Sequence, residues 1–315
     1  GFGTSTAAVA AGGYTGTAVT SATEEYNFSA TVTTGAAWAS GGNLNTARAY
    51  VGSAGTQTAT LCFAGNIPPT TKVTEEYNGS SWTTGPAMNT SRDNFIGCGV
   101  QTAALAAGGY SASLATGTNV AETWNGSTWT NIPSLNTARY TAATMGTTTA
   151  ALVSAGSGPG APVETISEEY DGSSWTAGGS LSSPRGGAGG AGTQTAGLSF
   201  GGGSPQLETS SYDGSSWTNL AAMNRPFGTG AGTGIQTAAL AAAGGPPTVK
   251  SQAETWDGSS WITSVSLATG RTQLGRGGTT SAGIVFGGAT PSVTAATEEF
   301  TGETTAVNIK TLTTS

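Results

Sequence analysis

The sequence predicts an all-β fold, a seven-bladed β-propeller built of four-stranded antiparallel blades. Two observations lead to this prediction. An aromatic residue that ends a Glu-containing segment recurs at intervals of roughly 45 residues along the 315-residue chain. Each copy also contains a glycine pair and enough chain for four short strands, which is typical of a propeller blade. The seven aromatic residues are Tyr26, Tyr77, Trp124, Tyr170, Tyr212, Trp256 and Phe300.

Each copy divides into four parts, and each part predicts one strand. The first part begins at an arginine, as at residues 135–139, and the second is an Ala- and Gly-rich run such as residues 102–109. The third ends in the aromatic residue, as at residues 75–77, and the fourth begins at a tryptophan such as Trp82. Small residues suit the place where blades converge, and large aromatic residues fill the gap where blades diverge.

A turn dipeptide joins the third and fourth parts. Asn-Gly and Asp-Gly adopt the positive φ angles of a tight two-residue turn, so the two parts are predicted to form an antiparallel hairpin. Five copies share this slot: Asn78-Gly79, Asn125-Gly126, Asp171-Gly172, Asp213-Gly214 and Asp257-Gly258.

The repeat predicts a single domain over residues 1–315. The first copy begins partway through its arginine strand, and Thr305 occupies the tryptophan slot of the last copy. We therefore expect an incomplete first blade and adjacent termini. The predicted blades are approximately 1–43, 44–87, 88–134, 135–180, 181–222, 223–266 and 267–315.

Composition narrows the possible activities. The chain has no histidine, which removes the commonest general base and metal ligand, and its two cysteines, Cys62 and Cys98, form no metal-binding motif. We expect no catalytic residues, no metal and no cofactor. The net charge of −7 disfavours nucleic acid as a partner, and no apolar run is long enough for membrane insertion.

The order of arginine, glycine pair, Glu-x-aromatic and tryptophan resembles that of kelch repeats along essentially the whole chain. In kelch propellers the arginine strand is innermost. The near-identical copies, with Gly-Thr-Gln-Thr-Ala at residues 55–59 and 192–196, also resemble low-complexity kelch-like proteins of marine bacteriophages. This second resemblance implies a virion or tail-fibre component.

Six arginines are candidate binding residues. On the innermost strand they would form a ring around the channel that could bind an anion or an acidic glycan. Alternatively, each would pair with a buried glutamate two residues before the aromatic residue, or with Glu208 in the copy that has Ser210 at that position. The arginines are Arg48, Arg92, Arg139, Arg185, Arg225 and Arg271.

Sequence variation among the copies indicates which end of the propeller binds. Strand alternation places the loops between second and third strands at one rim, where the copies differ most, and the constant turns at the other. Variable loops on a constant scaffold favour a recognition surface. Tyr14 and Tyr110, at the start of two such loops, are further candidate binding residues.

These observations predict a non-enzymatic structural or receptor-binding module of a phage particle, such as a tail fibre or adhesin. It would be located in the virion or outside the cell, within a larger chain or an oligomer. Its partners would be a surface glycan or protein, or other virion proteins. The alternative is a secreted carbohydrate-binding or glycan-active propeller.

Overall fold

The computed structural model describes residues 2–4, 7–14, 16–17, 19–27, 30–67, 70–95, 97–158, 163–202, 207–245 and 248–308. Two compact units are present. One comprises Gly1–Ala36 with Gly302–Ser315, and the other is Ala37–Thr301.

The first unit contains two small antiparallel sheets. Strands β1 (Phe2–Thr4), β2 (Ala7–Tyr14) and β3 (Val19–Asn27) form one sheet in that order. Strands β4 (Ala30–Thr34) and β31 (Thr304–Asn308) form the other.

The second unit contains six four-stranded antiparallel sheets, and these are the blades of a propeller. In blades 1 to 5 the first strand along the chain is the innermost. Blade 1 is β6 (Gly52–Gly55), β7 (Thr60–Phe63), β8 (Thr74–Tyr77) and β9 (Trp82–Gly85). Blade 2 is β10 (Gly97–Val100), β11 (Ala103–Ala107), β14 (Ala121–Trp124) and β15 (Trp129–Ile132), with a small loop hairpin of β12 (Tyr110–Ser111) and β13 (Thr116–Gly117).

The next three blades repeat this arrangement. Blade 3 is β16 (Ala143–Gly146), β17 (Ala151–Ser154), β18 (Ser167–Tyr170) and β19 (Trp175–Gly178). Blade 4 is β20 (Gly189–Gly192), β21 (Gly197–Phe200), β22 (Thr209–Tyr212) and β23 (Trp217–Leu220). Blade 5 is β24 (Ala231–Ile235), β25 (Ala238–Gly244), β26 (Lys250–Trp256) and β27 (Trp261–Ser264).

Blade 6 takes its outermost strand from the other end of the chain. It consists of β28 (Gly275–Gly278), β29 (Ala282–Phe286), β30 (Thr297–Thr301) and β5 (Ala37–Ser40). In β5, Trp38 lies opposite Phe300, with ring centroids 5.0 Å apart, and its indole nitrogen donates to the carbonyl oxygen of Val265.

The prediction of seven blades was therefore wrong, because the ring has six. The repeat alignment assigned Trp38 to the same copy as Tyr26, whereas its strand pairs with β30. The last copy has Thr305 in the tryptophan slot, and Trp38 supplies the aromatic packing that Phe300 would otherwise lack. The expected incomplete first blade is not part of this ring, and its strands β1–β3 form a separate sheet. The predicted proximity of the termini concerns residues that lie outside those described.

Repeated side-chain contacts join neighbouring blades. Gln101 in blade 2 donates from its amide to the carbonyl oxygens of Thr60 and Tyr77 in blade 1, at 3.1 and 2.6 Å. Gln57 makes the equivalent bonds from blade 1 to blade 6, so the glutamine of the Gly-Thr-Gln-Thr-Ala segment is an inter-blade clamp. Aromatic residues fill the wedges between blades as expected; for example, the rings of Phe63 and Trp129 are 4.9 Å apart.

The predicted hairpin between third and fourth strands is confirmed, but its turn is longer than expected. Tyr77 pairs with Trp82, which leaves a four-residue loop. Within it Gly79 has a φ of 91°, and Oδ1 of Asn78 accepts from the amides of Ser80 and Ser81 at 3.0 and 2.9 Å. This Asx-type turn closes the loop through a side chain. Asn125, Asp171, Asp213 and Asp257 do the same in their copies.

The strand directions give the propeller two different ends. We call the end with the four-residue hairpin loops the turn rim, and the end with the loops between second and third strands the loop rim. No helix among the described residues could cross a membrane. Cys62 and Cys98 are buried free thiols.

Candidate ligand-binding site

A closed ring of backbone hydrogen bonds surrounds the axis near the loop rim. One residue from each blade donates its amide to the carbonyl oxygen of the equivalent residue in the preceding blade, at distances of 2.6 to 3.1 Å. The bond from Tyr50 to Gln273 closes the circuit between blades 1 and 6. In chain order, these six mouth residues are Tyr50, Asn94, Thr141, Gly187, Thr229 and Gln273.

All six mouth residues have left-handed backbone conformations. Their φ angles lie between 52° and 75°, and only one of them is glycine. Such angles are unfavourable for residues with a Cβ atom, above all for β-branched Thr141 and Thr229. The ring imposes them, because each residue's amide and carbonyl are both fixed by neighbouring blades. Strained backbone of this kind persists where the surrounding structure over-determines it.

The mouth residues line a cavity at the axis. Their side chains differ from blade to blade although their backbones are equivalent. Tyr50 is half-buried, and burial together with the nearby Asp93 carboxylate raises its pKa, while a hydrogen bond with the Gln273 side chain lowers it. The mouth therefore presents a phenol and two amides, from Asn94 and Gln273, with two threonine hydroxyls.

Asp93 holds the side chain of the mouth residue Asn94 in place. It is buried, and its carboxylate accepts hydrogen bonds from the side-chain amides of Asn66 and Asn94 at 3.0 and 3.1 Å. Burial raises the pKa of Asp93, and these two hydrogen bonds oppose the rise. The contact fixes the orientation of the Asn94 amide at the mouth.

A second cavity lies on the axis toward the turn rim. The six innermost strands line it with three successive layers of residues. The layer nearest the turn rim is entirely glycine with positive φ: Gly55, Gly99, Gly146, Gly192, Gly234 and Gly278. The layer nearest the mouth consists of Ser53, Gly97, Thr144, Gly190, Gly232 and Arg276.

Arg276 is the exception in a channel of small residues. It lines both cavities and is 8% exposed. Its amide donates to Oγ of Ser53 at 3.0 Å, which ties blade 6 to blade 1. Burial lowers the pKa of its guanidinium to about 10, and Cys98 opposes this shift. Arg276 is thus still a cation at neutral pH.

The six arginines predicted as binding residues do not lie on the innermost strands. Each precedes its innermost strand and pairs with the predicted glutamate, so the alternative expectation of pairs with buried glutamates is confirmed in every copy except that of Arg185. In the pair of Arg139 and Glu168 both side chains are almost wholly buried, whereas Glu208 is 46% exposed. The pairs, at 2.7 to 3.6 Å, are Arg48–Glu75, Arg92–Glu122, Arg139–Glu168, Arg185–Glu208, Arg225–Glu254 and Arg271–Glu298.

The buried glutamates also fix the chain that leads into each blade. Glu168 accepts from the backbone amides of Asn136 and Thr137 at 2.7 and 3.0 Å, in addition to its contact with Arg139. Arg139 donates to the carbonyl oxygens of Ala155 and Ile166 as well. The pair thereby holds the connection directly before the mouth residue Thr141.

The two tyrosines predicted as binding residues differ in what the structure describes. Tyr110 begins the loop hairpin of blade 2 at the loop rim, and its ring contacts that of Tyr140 edge-on at 5.7 Å between centroids. Both rings are half-buried. Tyr14 ends strand β2, and its side chain lies outside the part of the chain whose side chains are described.

Sequence reasoning missed the mouth residues and Arg276. The mouth residues share no single residue type, although five of the six follow the repeat arginine by two positions, so counting from that arginine could have found them. Arg276 is a second arginine in its copy, five positions after Arg271, and has no glutamate partner in the repeat pattern. This extra arginine was the signal available in the sequence.

Comparison with known proteins supports the fold. No family model and no curated protein matches the sequence. Among solved structures, that of YjhT is similar with a TM-score of 0.68 and 12% sequence identity, over 87% of this chain and 99% of YjhT. The protein is a β-propeller. At this identity the similarity concerns the fold alone.

Proposed function

We propose that this propeller is a non-enzymatic recognition module that binds a glycan at its mouth. The main supporting observation is that six equivalent backbone positions, joined in one ring, surround a single axial cavity, and five of them carry polar side chains of four types. A rigid backbone that carries variable side chains suits binding, because little conformational entropy of the protein is lost when a ligand binds.

The chemistry of the mouth supports a sugar as the ligand. Amide and hydroxyl groups, as on Asn94, Gln273 and Thr141, both donate and accept hydrogen bonds, as sugar hydroxyls do. Tyr50 adds an aromatic surface with a polar tip. The described residues lining the mouth include no carboxylate, whereas glycoside hydrolysis uses a pair of them. We therefore assign binding without bond cleavage.

The repeat style suggests the setting. Near-identical low-complexity copies resemble kelch-like proteins of marine bacteriophages, so we propose that the module belongs to a phage tail fibre or adhesin and engages the host surface through the loop rim. Detection of this chain by mass spectrometry in purified virions would support the setting. Its secretion as a free protein by an uninfected cell would contradict it.

The glycan proposal is tested with an array of neutral and acidic oligosaccharides. The wild type is compared with Asn94→Ala and Gln273→Ala, and with Ser173→Ala at the turn rim as the matched control. We expect one class of glycan to be bound, with at least tenfold weaker binding by the two mouth variants and unchanged binding by the control. No glycan binding, or equal binding by all four proteins, would overturn the proposal.

A further inference from the structure

We propose that the axial channel holds a small carboxylate at Arg276, independently of what binds at the mouth. Only 8% of the surface of Arg276 is exposed, yet no carboxylate pairs with it among the described residues. An isolated buried cation is strongly unfavourable, and native proteins neutralise it with a counter-charge.

The contrast with the other arginines sharpens this inference. Six arginines of the propeller each have a glutamate within 4 Å, and the pairing repeats in every blade. Arg276 has no such partner, and it occupies a position that holds serine, threonine or glycine in the other five blades. The contacts that join the blades therefore do not require an arginine at this position, and its charge is not needed for the propeller fold.

The Cys98 thiol on the channel wall does not supply the counter-charge. Burial raises the pKa of the Cys98 thiol to about 12, and Arg276 lowers it without bringing it near neutrality. Cys98 therefore carries no charge at neutral pH. The other described lining residues of both cavities are uncharged, so the cation faces the channel alone.

Charge number and geometry favour a carboxylate over other anions. A single guanidinium balances one negative charge, which a carboxylate provides and a phosphate dianion exceeds. The planar fork of a guanidinium also matches the two oxygens of a carboxylate. Hydroxyl groups of Ser53 and Thr144 lie in the same layer of the channel wall as Arg276.

Acetate is the probe for this site. Thermal unfolding is followed in sodium acetate and in sodium chloride at equal ionic strength, at pH 7. A ligand that binds the folded state raises the melting temperature with its concentration. We expect acetate to raise the melting temperature of the wild type above its value in chloride. Equal effects of the two salts would indicate general screening and would overturn the proposal.

Arg276→Ser is the decisive variant, because serine occupies the equivalent position in blade 1 and is compatible with the fold. We expect it to unfold cooperatively and to lose the difference between acetate and chloride, with an apparent Kd for acetate at least tenfold weaker. Lys72→Ser, which removes an exposed cation, is the control and should behave as the wild type. An unchanged acetate effect in Arg276→Ser would overturn the proposal.

A second measurement, made directly on acetate binding, guards against a folding defect in Arg276→Ser. Exchange broadening of the ¹³C-acetate carboxyl resonance should appear with wild-type protein and be absent with Arg276→Gln, which removes the charge but keeps a polar side chain. The mouth variants Asn94→Ala and Gln273→Ala should bind acetate normally, so failure of the glycan proposal leaves this test intact. Absence of broadening with the wild type would overturn the carboxylate site.

Discussion

The backbone amide of Tyr50 donates a 2.8 Å hydrogen bond to the carbonyl oxygen of Gln273, and this bond joins the first blade to the last. These residues are separated by most of the chain, yet they are direct neighbours in the ring. The bond shows that the circuit closes after six blades, since the five other bonds connect consecutive blades in order.

Strand β5 should be cross-linkable to β30 if the ring closes in this way. Ala39 and Glu299 are directly opposed in the ladder, so cysteines at both positions lie at a distance that a disulfide can span. We expect Ala39→Cys with Glu299→Cys to form the disulfide under mild oxidation, detected by peptide mass spectrometry. Ala39→Cys with Glu169→Cys, at the equivalent place in blade 3, should not. A cross-link only in the second pair would refute the closure.

Removing Arg139 should destabilise the protein strongly. The Glu168 carboxylate would remain buried without its cation, and breaking a buried pair in this way costs about 3–5 kcal/mol. We expect Arg139→Ala to lower the free energy of unfolding in urea by that amount. Lys72→Ala removes an exposed cation and should change it by less than about 0.5 kcal/mol. Similar effects of the two substitutions would show that the pair is not structural.

Glycine should be tolerated at a mouth position where it would normally be harmful. Thr141 has a φ of 55°, and a left-handed residue with a Cβ atom costs about 1–2 kcal/mol. Glycine relieves this strain but increases the entropy of the unfolded chain by an amount worth about 0.5–1 kcal/mol. We therefore expect Thr141→Gly to leave the free energy of unfolding unchanged or to raise it by up to about 1 kcal/mol.

Thr144→Gly is the control for this substitution. Thr144 lies in strand β16 without positive φ and is buried, so its replacement has no strain to relieve and should lower the free energy of unfolding by at least about 1 kcal/mol. If Thr141→Gly were as harmful as Thr144→Gly, the mouth residues would not be strained.

The hairpin aspartates should make folding sensitive to acid. Hydrogen bonds from the following serines hold the pKa of Asp171 and of Asp257 at about 2 and lower that of Asp213 as well. An unfolded aspartate titrates near about 3.9. Because the folded pKa is the lower one, the stabilisation is present above about pH 4 and is lost as the pH falls toward 2.

Replacing all three aspartates with asparagine tests this effect. Asparagine already forms the same turn at Asn78 and Asn125, so the fold should be retained. We expect the melting temperature of the wild type to fall more steeply than that of the triple variant between pH 4 and pH 2. Parallel curves would mean that these turns do not contribute to acid sensitivity.

The structure of a single blade could be predicted from the sequence, whereas the number of blades in the ring could not. Four strands per copy, the Arg139–Glu168 type of pair and the aromatic wedges follow from contacts that recur within or between neighbouring copies, so repetition reveals them. The number of blades depends on whether Trp38 pairs with its own copy or with Phe300, and local pattern carries no information about that choice. The mouth residues escaped notice because hydrogen bonds of the main chain, rather than a shared side chain, place them.

The inter-blade clamps have a consequence for how such a protein can change over generations. Gln101, Gln57 and their equivalents contact only carbonyl oxygens of the neighbouring blade, which every copy provides. Blades 1, 2, 4 and 5 carry such a glutamine, so a copy of one of them that is exchanged or duplicated by recombination would find the same acceptors in its neighbour. It would bring its own mouth residue with it, so shuffling of whole copies can change the side chains around the axial cavity while these inter-blade contacts are kept.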